Sequence, residues 1–382
     1  MFGTAESVVR WMGAMQAQDY AQALWAVAVR MTKATVADVE RTIVDGRIVR
    51  TWPMRGTIHF VPAADARWML ALSAPRMLAR DVRRLRQLEI DGKTLARAER
   101  IFQRALSGGK RLSRSAMLAL LTEAGIPPTG QRGYHILWHA AQTGLICLGP
   151  MTFKAAAQQR VVDEADEPAD AAGAEGAKEQ TFVLLDEWAP GGKALDRDEA
   201  LARLARRYFT GHGPATVRDF AWWGGLSLTD ARAGIAGAKP SLQSETIEGV
   251  EFWLVADQEP RSRAIVSSRS GRAHLLPAFD EYLIGYADRR AVLAAAHVDK
   301  IVPGGNGIFM PTIIVDGQVV GIWRRTFSKR GVEVSLLPFK RAGLRALLAA
   351  LAPAAERFAA FLGRPLASFT IGTAKAKPPV AS

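Results

Sequence analysis

One order of local signals, helix, turn, helix and then strand, occurs three times in this chain and limits what it can fold into. The second copy is the clearest: Ser113 or Ser115 caps a helix over MLALLTEAG, and Gly125 ends it. IPPTGQ then forms a turn, RGYHILWHAAQTG a second helix, and LICLGPMTFK a strand, a turn and a strand. This order predicts a winged helix-turn-helix, whose second helix usually enters the major groove of DNA.

The first copy has the same signals in residues 5–62. An amphipathic helix is predicted over Ala5–Ala14, and Asp19 with Gln22 has the form of a capping box that opens a second helix from Tyr20 to Met31. The sequence TVAD at 35–38 opens a short third helix. RIVRTWP and TIHFVP alternate around MRG, which predicts a two-stranded wing.

The third copy is followed by a change of pattern. A helix over Asp198–Thr210, the segments VRDFAWWGG and LSLTDARAGI, and strand material in EGVEFWLVAD make up that copy. The segments AHLLPAFDEYLIGYADR, IFMPTIIVDGQVVGIWRRTF and GVEVSLLPF then indicate strands, Asp316-Gly317 predicts a hairpin, and Leu344–Phe361 predicts a closing helix. We therefore predict an α+β protein with three tandem winged helix-turn-helix domains and a β-rich C-terminal region.

These signals divide the chain into six segments. They are a first winged-helix domain (1–75), a basic helical segment with the second winged-helix domain (76–160), an acidic flexible linker or loop (161–180), a third winged-helix domain (181–272), the β-rich region with its closing helix (273–373) and a disordered tail (374–382). The linker is predicted from DEADEPADAAGAEGAKEQ, which carries 7 acidic residues, one Lys, and no aromatic or β-branched residue.

The charge of the chain indicates a polyanionic partner. The formal net charge is +13, and residues 76–114 alone hold 12 Lys and Arg against 4 Asp and Glu. RNA, DNA and an anionic membrane face all match such a surface. The single Cys147 excludes a disulfide framework and a cysteine-based zinc site. No apolar run approaches the roughly 18 residues of a membrane span, and the first residues lack a secretion signal, so we expect a cytoplasmic protein without a membrane partner.

Most enzyme motifs are absent from the sequence. The GGK at 108–110 lacks the earlier glycine of a Walker loop. His135 and His139 lie one helical turn apart, but no third ligand accompanies them, so we expect no metal. The adjacent Asp280 and Glu281 would face opposite sides of a strand, so a shared acid–base role is not expected.

The Gln16-Ala17-Gln18 motif lies in the joint between two helices if Asp19 caps the second. Residues i and i+2 are about 200° apart on a helix, but they share a side of an extended chain. In an extended joint the two amides converge on one water or substrate atom. On spacing alone, two polar residues at a helix junction remain the simpler interpretation.

Five segments, in this order, resemble the AlkZ-type winged-helix DNA glycosylases, a family that includes the YcaQ-like branch. They are VVRWMGAMQAQDYAQALWAVAVR, RTWPMRGTIHFV, GPATVRDFAWWGGL, HLLPAFDEYLIGYADR and GIFMPTIIVDGQVVGIWRR. The resemblance runs from about residue 5 to residue 370, although the chain starts closer to VVRW than the family pattern does. The family's catalytic motif is glutamine, an apolar residue, then glutamine or aspartate, so Gln16 and Gln18 indicate the Gln/Gln, AlkZ-like branch.

The resemblance implies a monofunctional DNA glycosylase that excises N7-alkylated purines and, in this branch, unhooks interstrand crosslinks, with Gln16 and Gln18 as its catalytic residues. Glutamine suits this chemistry because an N7-alkylguanine already carries a positive charge and leaves without acid assistance. An amide holds and polarises a water but does not deprotonate it near pH 7. No lysine stands near the motif to form a Schiff base.

The partner predicted from the charge and the resemblance is duplex DNA carrying alkylated or crosslinked purines. We expect a bacterial, cytoplasmic monomer that is nucleoid-associated during repair and uses no cofactor. Trp222 and Trp223 are candidates for stacking on bases, although core packing is the commoner use of tryptophan. Further DNA contacts are predicted at Arg55, Thr57, His59, Arg132, His135, Trp323 and Arg324.

A different function class explains part of the sequence equally well. A non-enzymatic winged-helix DNA-binding protein, such as a transcriptional regulator, accounts for the charge and the repeats, and the composition also allows RNA binding. Only the glycosylase interpretation gives Gln16 and Gln18 a role.

Overall fold

The repeated sequence pattern folds into a repeated order of elements. The computed structural model describes residues 1–153, 178–192, 195–256 and 273–372. In each of three sets, a helix is followed by a short extended segment, two more helices and two strands. The first set consists of α1 (Ala5–Met12), β1 (Met15–Gln16), α2 (Tyr20–Ala28), α3 (Val36–Val44), β2 (Ile48–Met54) and β3 (Thr57–Pro62).

The long α4 (Ala63–Gln87) connects the first set to the second. The second set consists of α5 (Gly92–Leu106), β4 (Leu112–Ser113), α6 (Arg114–Glu123), α7 (Arg132–Gln142), β5 (Ile146–Phe153) and β6 (Lys178–Leu184), and the short α8 (Leu185–Trp188) follows it. The third set consists of α9 (Arg197–His212), α10 (Val217–Gly224), α11 (Leu228–Ala238), β7 (Leu242–Ile247) and β8 (Val250–Val255), with Ala215 bridging to Trp253 as its short extended segment.

The remaining described residues form a sheet with helices. They comprise β9 (Ala273–Leu276), α12 (Glu281–Ile284), α13 (Val298–Ile301), β10 (Thr312–Val315), β11 (Gln318–Ser328), β12 (Gly331–Pro338), α14 (Leu344–Leu362) and β13 (Leu366–Ile371). The predicted closing helix and the α+β class are confirmed. Residues 161–177 of the predicted acidic linker and the predicted tail from 374 to 382 lie outside the described residues, whereas Lys178–Gln180 begin β6.

Local side chains start the helices. The Asp19 carboxylate accepts from the Gln22 N–H at 3.1 Å, which confirms the predicted N-cap of α2. The other half of the predicted capping box is wrong, because the Gln22 amide oxygen accepts from the Ala278 N–H at 3.2 Å instead. Ser113 caps α6 by accepting from the Ala116 N–H at 3.2 Å.

Two sheets carry most of the strand pairing. The six-stranded sheet has the order β1-β3-β2-β5-β6-β4 and combines strands of the first and second sets through the pairing of Arg50 with Leu148. The five-stranded sheet has the order β13-β12-β11-β10-β9, and β7 and β8 form a separate two-stranded sheet. The predicted hairpins are confirmed at Arg55-Gly56 (φ 53° and 73°) and at Asp316-Gly317 (φ 47° and 79°).

The hairpin predicted within residues 145–154 is wrong. Residues 146–153 form the single strand β5, and its antiparallel partner is β6. The pairing register shifts between Leu148 and Met151, so Gly149-Pro150 forms an irregularity within the strand instead of a turn. Only glycine fits there, because a Cβ on Gly149 would lie 2.6 Å from the Thr181 hydroxyl oxygen.

An aromatic core joins the first set to the C-terminal sheet. Trp25 of α2 and Trp323 of β11 each contact the Phe358 ring of α14 edge-on, with centroids 5.0 Å apart. The two indole N–H groups donate to the carbonyl oxygens of Leu275 and Leu276 in β9, at 2.8 and 2.7 Å. This packing brings the joint between α1 and α2 close to the segment that follows β9. None of the described helices combines the length and apolar character that crossing a bilayer requires.

Candidate active site

The Gln16-Ala17-Gln18 motif begins in the edge strand of the six-stranded sheet, because Gln16 is the last residue of β1. Gln16 pairs antiparallel with His59, and the Ala17 N–H donates to the Ile58 carbonyl oxygen at 2.8 Å. Ala17 is buried, whereas Gln16 is partly exposed and Gln18 is exposed. The predicted extended joint is confirmed only in part, because β1 ends at Gln16 and the chain bends at Gln18. The Gln18 amide oxygen accepts from the Ile58 backbone N–H at 3.4 Å, which holds this side chain next to β3.

Arg50 of β2 holds the carbonyl groups of the motif. Its Nε and Nη2 donate to the Ala17 oxygen at 3.0 and 2.9 Å, and Nη2 also donates to the Gln18 oxygen at 3.3 Å. Burial lowers the pKa of Arg50 to about 10, which leaves the guanidinium charged at neutral pH. This residue was not among those predicted from the sequence. The available signal was a charged side chain amid the apolar residues of RIVRTWP.

A buried carboxylate holds the other side of the motif. Glu281 Oε1 accepts from the Gln16 backbone N–H at 2.9 Å. Its Oε2 accepts from the Trp223 indole at 3.0 Å and lies 3.3 Å from Nε2 of His212. Glu281 is only 1% exposed, so the motif lies directly over a buried anion.

The strand geometry predicted for Asp280 and Glu281 is wrong. β9 ends at Leu276, Phe279 has a φ of 55°, and Asp280 caps α12, so the chain turns sharply and both carboxylates become buried. Asp280 binds the Arg30 guanidinium through two contacts of 2.8 Å, whereas Glu281 reaches the motif. The two acids therefore have separate partners, and the contact between Glu281 and Gln16 was not foreseen.

The groups around Glu281 favour its charged form. Burial alone would raise its pKa, but the hydrogen bond and charge of His212, together with His59 and Arg55, outweigh burial and hold the pKa of Glu281 below its ordinary value. Burial, assisted by Arg55, lowers the pKa of His59 to about 4. His59 is therefore neutral at pH 7, with Nδ1 2.9 Å from the Thr57 carbonyl oxygen and Nε2 3.4 Å from Arg55 Nη2.

The three residues of the first hairpin that were predicted to contact DNA differ in their exposure. His59 is 0% exposed, so the prediction that it faces DNA is wrong; its ring packs beneath the motif. Arg55 is partly buried, and its Nη1 donates to the Trp223 carbonyl oxygen at 2.8 Å, so its guanidinium joins the hairpin to α10. Thr57 is partly exposed, and its hydroxyl lies 3.5 Å from the Met54 carbonyl oxygen.

The predicted contacts at the start of α7 are engaged with protein groups. Arg132 donates to the carbonyl oxygens of Pro127 at 2.9 Å, of Glu89 at 3.1 Å and of Leu88, so it joins the end of α4 to α7. Nδ1 of His135 lies 3.0 Å from the Asp81 carboxylate.

The tryptophans separate into core and surface. Trp323 is 1% exposed and belongs to the aromatic core, so the prediction that it contacts DNA is wrong; its neighbour Arg324 is partly buried on the opposite face of β11. Trp223 is fully buried against Glu281. Trp222 is 48% exposed, and its indole N–H donates to the Ile284 carbonyl oxygen at 3.1 Å, next to the site.

The described residues contain no cluster of His, Cys, Asp and Glu able to hold a metal ion. The ring of His139 lies 3.3 Å from the Glu99 carboxylate, and His135 contacts Asp81. Each of the two histidines on α7 thus has an acidic neighbour of its own.

Known proteins resemble this chain both in sequence and in fold. The family model described as "DNA glycosylase AlkZ-like" matches residues 9–361. An interstrand DNA cross-link repair glycosylase from Streptomyces sahachiroi is 25% identical over 340 residues, which cover 84% of this chain and 82% of that protein. The solved structure of the Streptomyces sahachiroi DNA glycosylase AlkZ superposes with a TM-score of 0.72 at 21% identity, covering 97% of this chain and 94% of the other, and so shows the same fold. Since the family model spans nearly the whole chain, the protein belongs to the AlkZ-like DNA glycosylase family and is a DNA glycosylase, as the sequence resemblance predicted.

Proposed function

We propose that this DNA glycosylase hydrolyses the N-glycosidic bond of cationic N7-alkylated purines, with Gln16 and Gln18 as its catalytic residues. The observation that supports this most directly is the exposure of the motif: Gln16 is partly exposed and Gln18 is exposed, next to a buried carboxylate that binds the Gln16 backbone N–H. The alternative was a transcriptional regulator that binds DNA without catalysis. Because the matching family consists of DNA glycosylases, this alternative is no longer needed to explain the chain.

The proposed reaction uses the positive charge of the damaged base. The bond between C1′ and the purine nitrogen breaks, its electron pair leaves with the base, and the base becomes neutral. A water held by the two amide oxygens attacks the cationic C1′ and releases a proton to solvent. The amides act as fixed dipoles that orient the water and stabilise the positive sugar, and no strong base is required.

Rigid support of the motif makes such a role effective. Hydrogen bonds engage the backbone of every motif residue: Gln16 with Glu281, Ala17 with Ile58 and Arg50, and Gln18 with Arg50. A catalytic group that is held in place before the substrate binds loses little freedom during the reaction. We therefore propose this supported motif as the reacting centre, in preference to other exposed residues that lack such support.

The wider proposal concerns substrate and architecture. The relative's name mentions interstrand cross-links, and we extend our proposal to unhooking of such lesions at the same site. We also propose that the three sets of elements are tandem winged helices, with the second set reaching Leu184 instead of ending at residue 160, in a monomer that acts on DNA in the bacterial cytoplasm and nucleoid. Further contacts with DNA are proposed at Arg55, Thr57, Arg132, His135 and Arg324.

The test uses duplex DNA with one N7-methylguanine. The native protein is expected to produce alkali-labile abasic sites, and the double variant Q16A/Q18A is expected to lower the single-turnover rate by at least about 10²-fold. A Q318A variant, which removes an exposed glutamine of β11, is the matched control and should retain the native rate. Borohydride should trap no covalent enzyme–DNA adduct. Base release by Q16A/Q18A at the native rate would overturn the proposal.

A further inference from the structure

We infer that Glu281 is a positioning residue for glycosidic-bond hydrolysis, which fixes Gln16 and supplies the negative charge that a cationic sugar requires. This inference rests on the proposed function and adds a residue outside the glutamine motif. The contacts of both carboxylate oxygens, the burial of the group and the charges around it support this role.

The carboxylate is placed to act through Gln16 and not on water. Oε1 is 2.9 Å from the Gln16 nitrogen, and Oε2 is shared by Trp223 and His212 at 3.0 and 3.3 Å. With both oxygens engaged and 1% exposure, Glu281 has no free face for a water molecule. A role as general base is therefore unsuitable, because a base must reach the proton that it removes.

Three helices fix the position of this carboxylate. Glu281 opens α12, Trp223 belongs to α10, and His212 ends α9. The His212 ring stacks on Tyr208 with centroids 4.8 Å apart, and its Nδ1 lies 3.3 Å from the Tyr208 carbonyl oxygen. The carboxylate is thus part of a rigid connection between the third set of elements and the motif of the first set.

The charges near the motif explain why an anion is useful there. Arg50 donates to the motif carbonyls, and Arg55 lies against His59 on the neighbouring strand. Two guanidinium groups disfavour a positive charge on the sugar, and in a site of low dielectric this effect is larger than in water. Glu281 offsets part of this positive charge from its position 2.9 Å from the backbone nitrogen of Gln16. Its surroundings also include the titratable or charged groups of His59, His212, Arg30, Tyr208 and Tyr286.

Glu281→Gln tests the inference because it keeps the size of the side chain and removes the charge. A carboxamide carries one oxygen and one NH₂ group, so in either orientation the NH₂ group meets another donor, Gln16 N–H or Trp223 Nε1–H. We expect the single-turnover rate on N7-methylguanine DNA to fall about 10²-fold, since small misplacements of catalytic groups have effects of this size. The affinity for the same duplex should stay within about threefold of the native value, because Glu281 is buried away from DNA.

The matched control is Asp65→Asn. Asp65 is another buried carboxylate, 0% exposed, with Arg207 at 2.8 Å and Arg203 at 3.2 Å, and it does not contact the motif. D65N is expected to lower thermal stability while the folded protein keeps the native rate. Glu281→Asp, which keeps the charge on a shorter side chain, covers the case in which E281Q does not fold.

A binding measurement separates charge from general structural support. Two duplexes are compared, one with a cationic pyrrolidine and one with an uncharged tetrahydrofuran in place of the damaged nucleotide. The native protein should prefer the pyrrolidine, because a mimic of the cationic transition state binds tightly. The ratio of the affinities for the pyrrolidine and tetrahydrofuran duplexes should be about tenfold smaller for E281Q than for the native protein, and E281D should retain the native ratio.

The outcomes distinguish the two proposals. If the native protein releases N7-methylguanine but E281Q keeps the native rate and the pyrrolidine preference, the role of Glu281 is refuted and the proposed function stands. If the native protein does not release this base, the proposed function fails. In that case the comparison of pyrrolidine and tetrahydrofuran still decides whether Glu281 favours a cation at the site.

Discussion

Single residues of the candidate site divide into accessible amides and buried ionisable groups. Gln16 is partly exposed and Gln18 is exposed, whereas Glu281 and His59 are buried. His59 donates from Nδ1 to the Thr57 carbonyl oxygen, and its Nε2 faces the Arg55 guanidinium, which only donates. A second proton on the ring would point at that guanidinium, so the fold selects the neutral imidazole.

The buried neutral histidine predicts an acid-sensitive component of stability. The pKa of His59 is about 4 in the folded protein and about 6.5 in the unfolded chain, so below pH 6.5 the unfolded chain binds the extra proton. Stability from this group is fully present above pH 6.5 and is lost as the pH falls towards 4. Between pH 6.5 and pH 4.5 the loss is about 2 kcal/mol. The measurement is the free energy of unfolding against pH for the native protein and H59Q.

The variant should have a shallower acid slope in that window. Glu281 does not obscure the effect, because its pKa is held below the ordinary value of 4.5 and its contribution is lost only at lower pH. Equal slopes for the native protein and H59Q between pH 6.5 and pH 4.5 would show that His59 is not the responsible group.

Sequence reasoning found the residues whose role depends on local geometry and missed those that depend on distant contacts. The position of Gln16 and Gln18 before α2 was predicted from the N-cap at Asp19. Asp19 is only three residues from Gln22, whose backbone N–H it binds. The contact between Gln16 and Glu281 spans 265 residues of sequence, and no local pattern encodes it. The burial of His59 and Trp323 depends in the same way on how separate elements pack.

At the scale of elements, the short α12 is the connection between the C-terminal region and the motif. It begins at Glu281, and Gly285 follows its last residue. A Cβ on Gly285 would lie 2.6 Å from Cδ2 and 3.0 Å from Nε2 of the His212 ring. The His212 ring is buried and stacked on Tyr208, so it has little space in which to move away. The close approach of α12 to the end of α9 therefore requires glycine.

Gly285→Ala should disturb this contact without changing any ionisable group. Overpacking of a buried contact usually costs about 1–3 kcal/mol, and here it displaces His212 from Glu281. We expect a lower melting temperature together with a slower single-turnover rate on N7-methylguanine DNA. Gly92→Ala, at the start of α5, is the comparison, because no heavy atom lies within 4 Å of its Cβ position and its backbone is not in the left-handed region. If G285A reacts at the native rate, the close contact between α12 and the end of α9 is not required for catalysis.

Elements whose signals lie within a few residues of sequence were predicted correctly. Strand pairings between distant parts of the sequence were not. Caps at Asp19 and Ser113 and the turn at Asp316-Gly317 act over a few residues, and the structure confirms them. The predicted hairpin at 145–154 failed because the partner of β5 is β6, on the far side of residues 154–177. A glycine followed by proline has the composition of a turn, but here close packing against Thr181 selects the glycine.

The basic surface is a property of the whole molecule. Of the Lys and Arg residues in 76–114, all except Arg84 are exposed, so the charge excess counted from the sequence lies on the surface of α4, α5, the turn that follows and the start of α6. Arg76, Arg80 and Arg83 repeat at i, i+4 and i+7 and share one face of α4. The sequence predicted this concentration of charge. It did not predict that β2 and β5 join two sets of elements in one sheet, because the paired residues Arg50 and Leu148 are far apart in the sequence and no local pattern encodes their contact.

This surface should give DNA binding a measurable dependence on salt. Arg80 and Arg83 are exposed on α4, and each phosphate contact adds about 0.9 to the slope of log K against log salt concentration. The double variant R80A/R83A should therefore bind undamaged duplex DNA more weakly, with a slope smaller by about 2. The comparison variant K340A/R341A removes the same charge from exposed positions after β12 and should change the slope less. Since phosphate contacts carry no sequence information, the loss should be equal for duplexes of different sequence. The two double variants have the same net charge, so equal slopes would mean that net charge, and not the basic face of α4, governs binding.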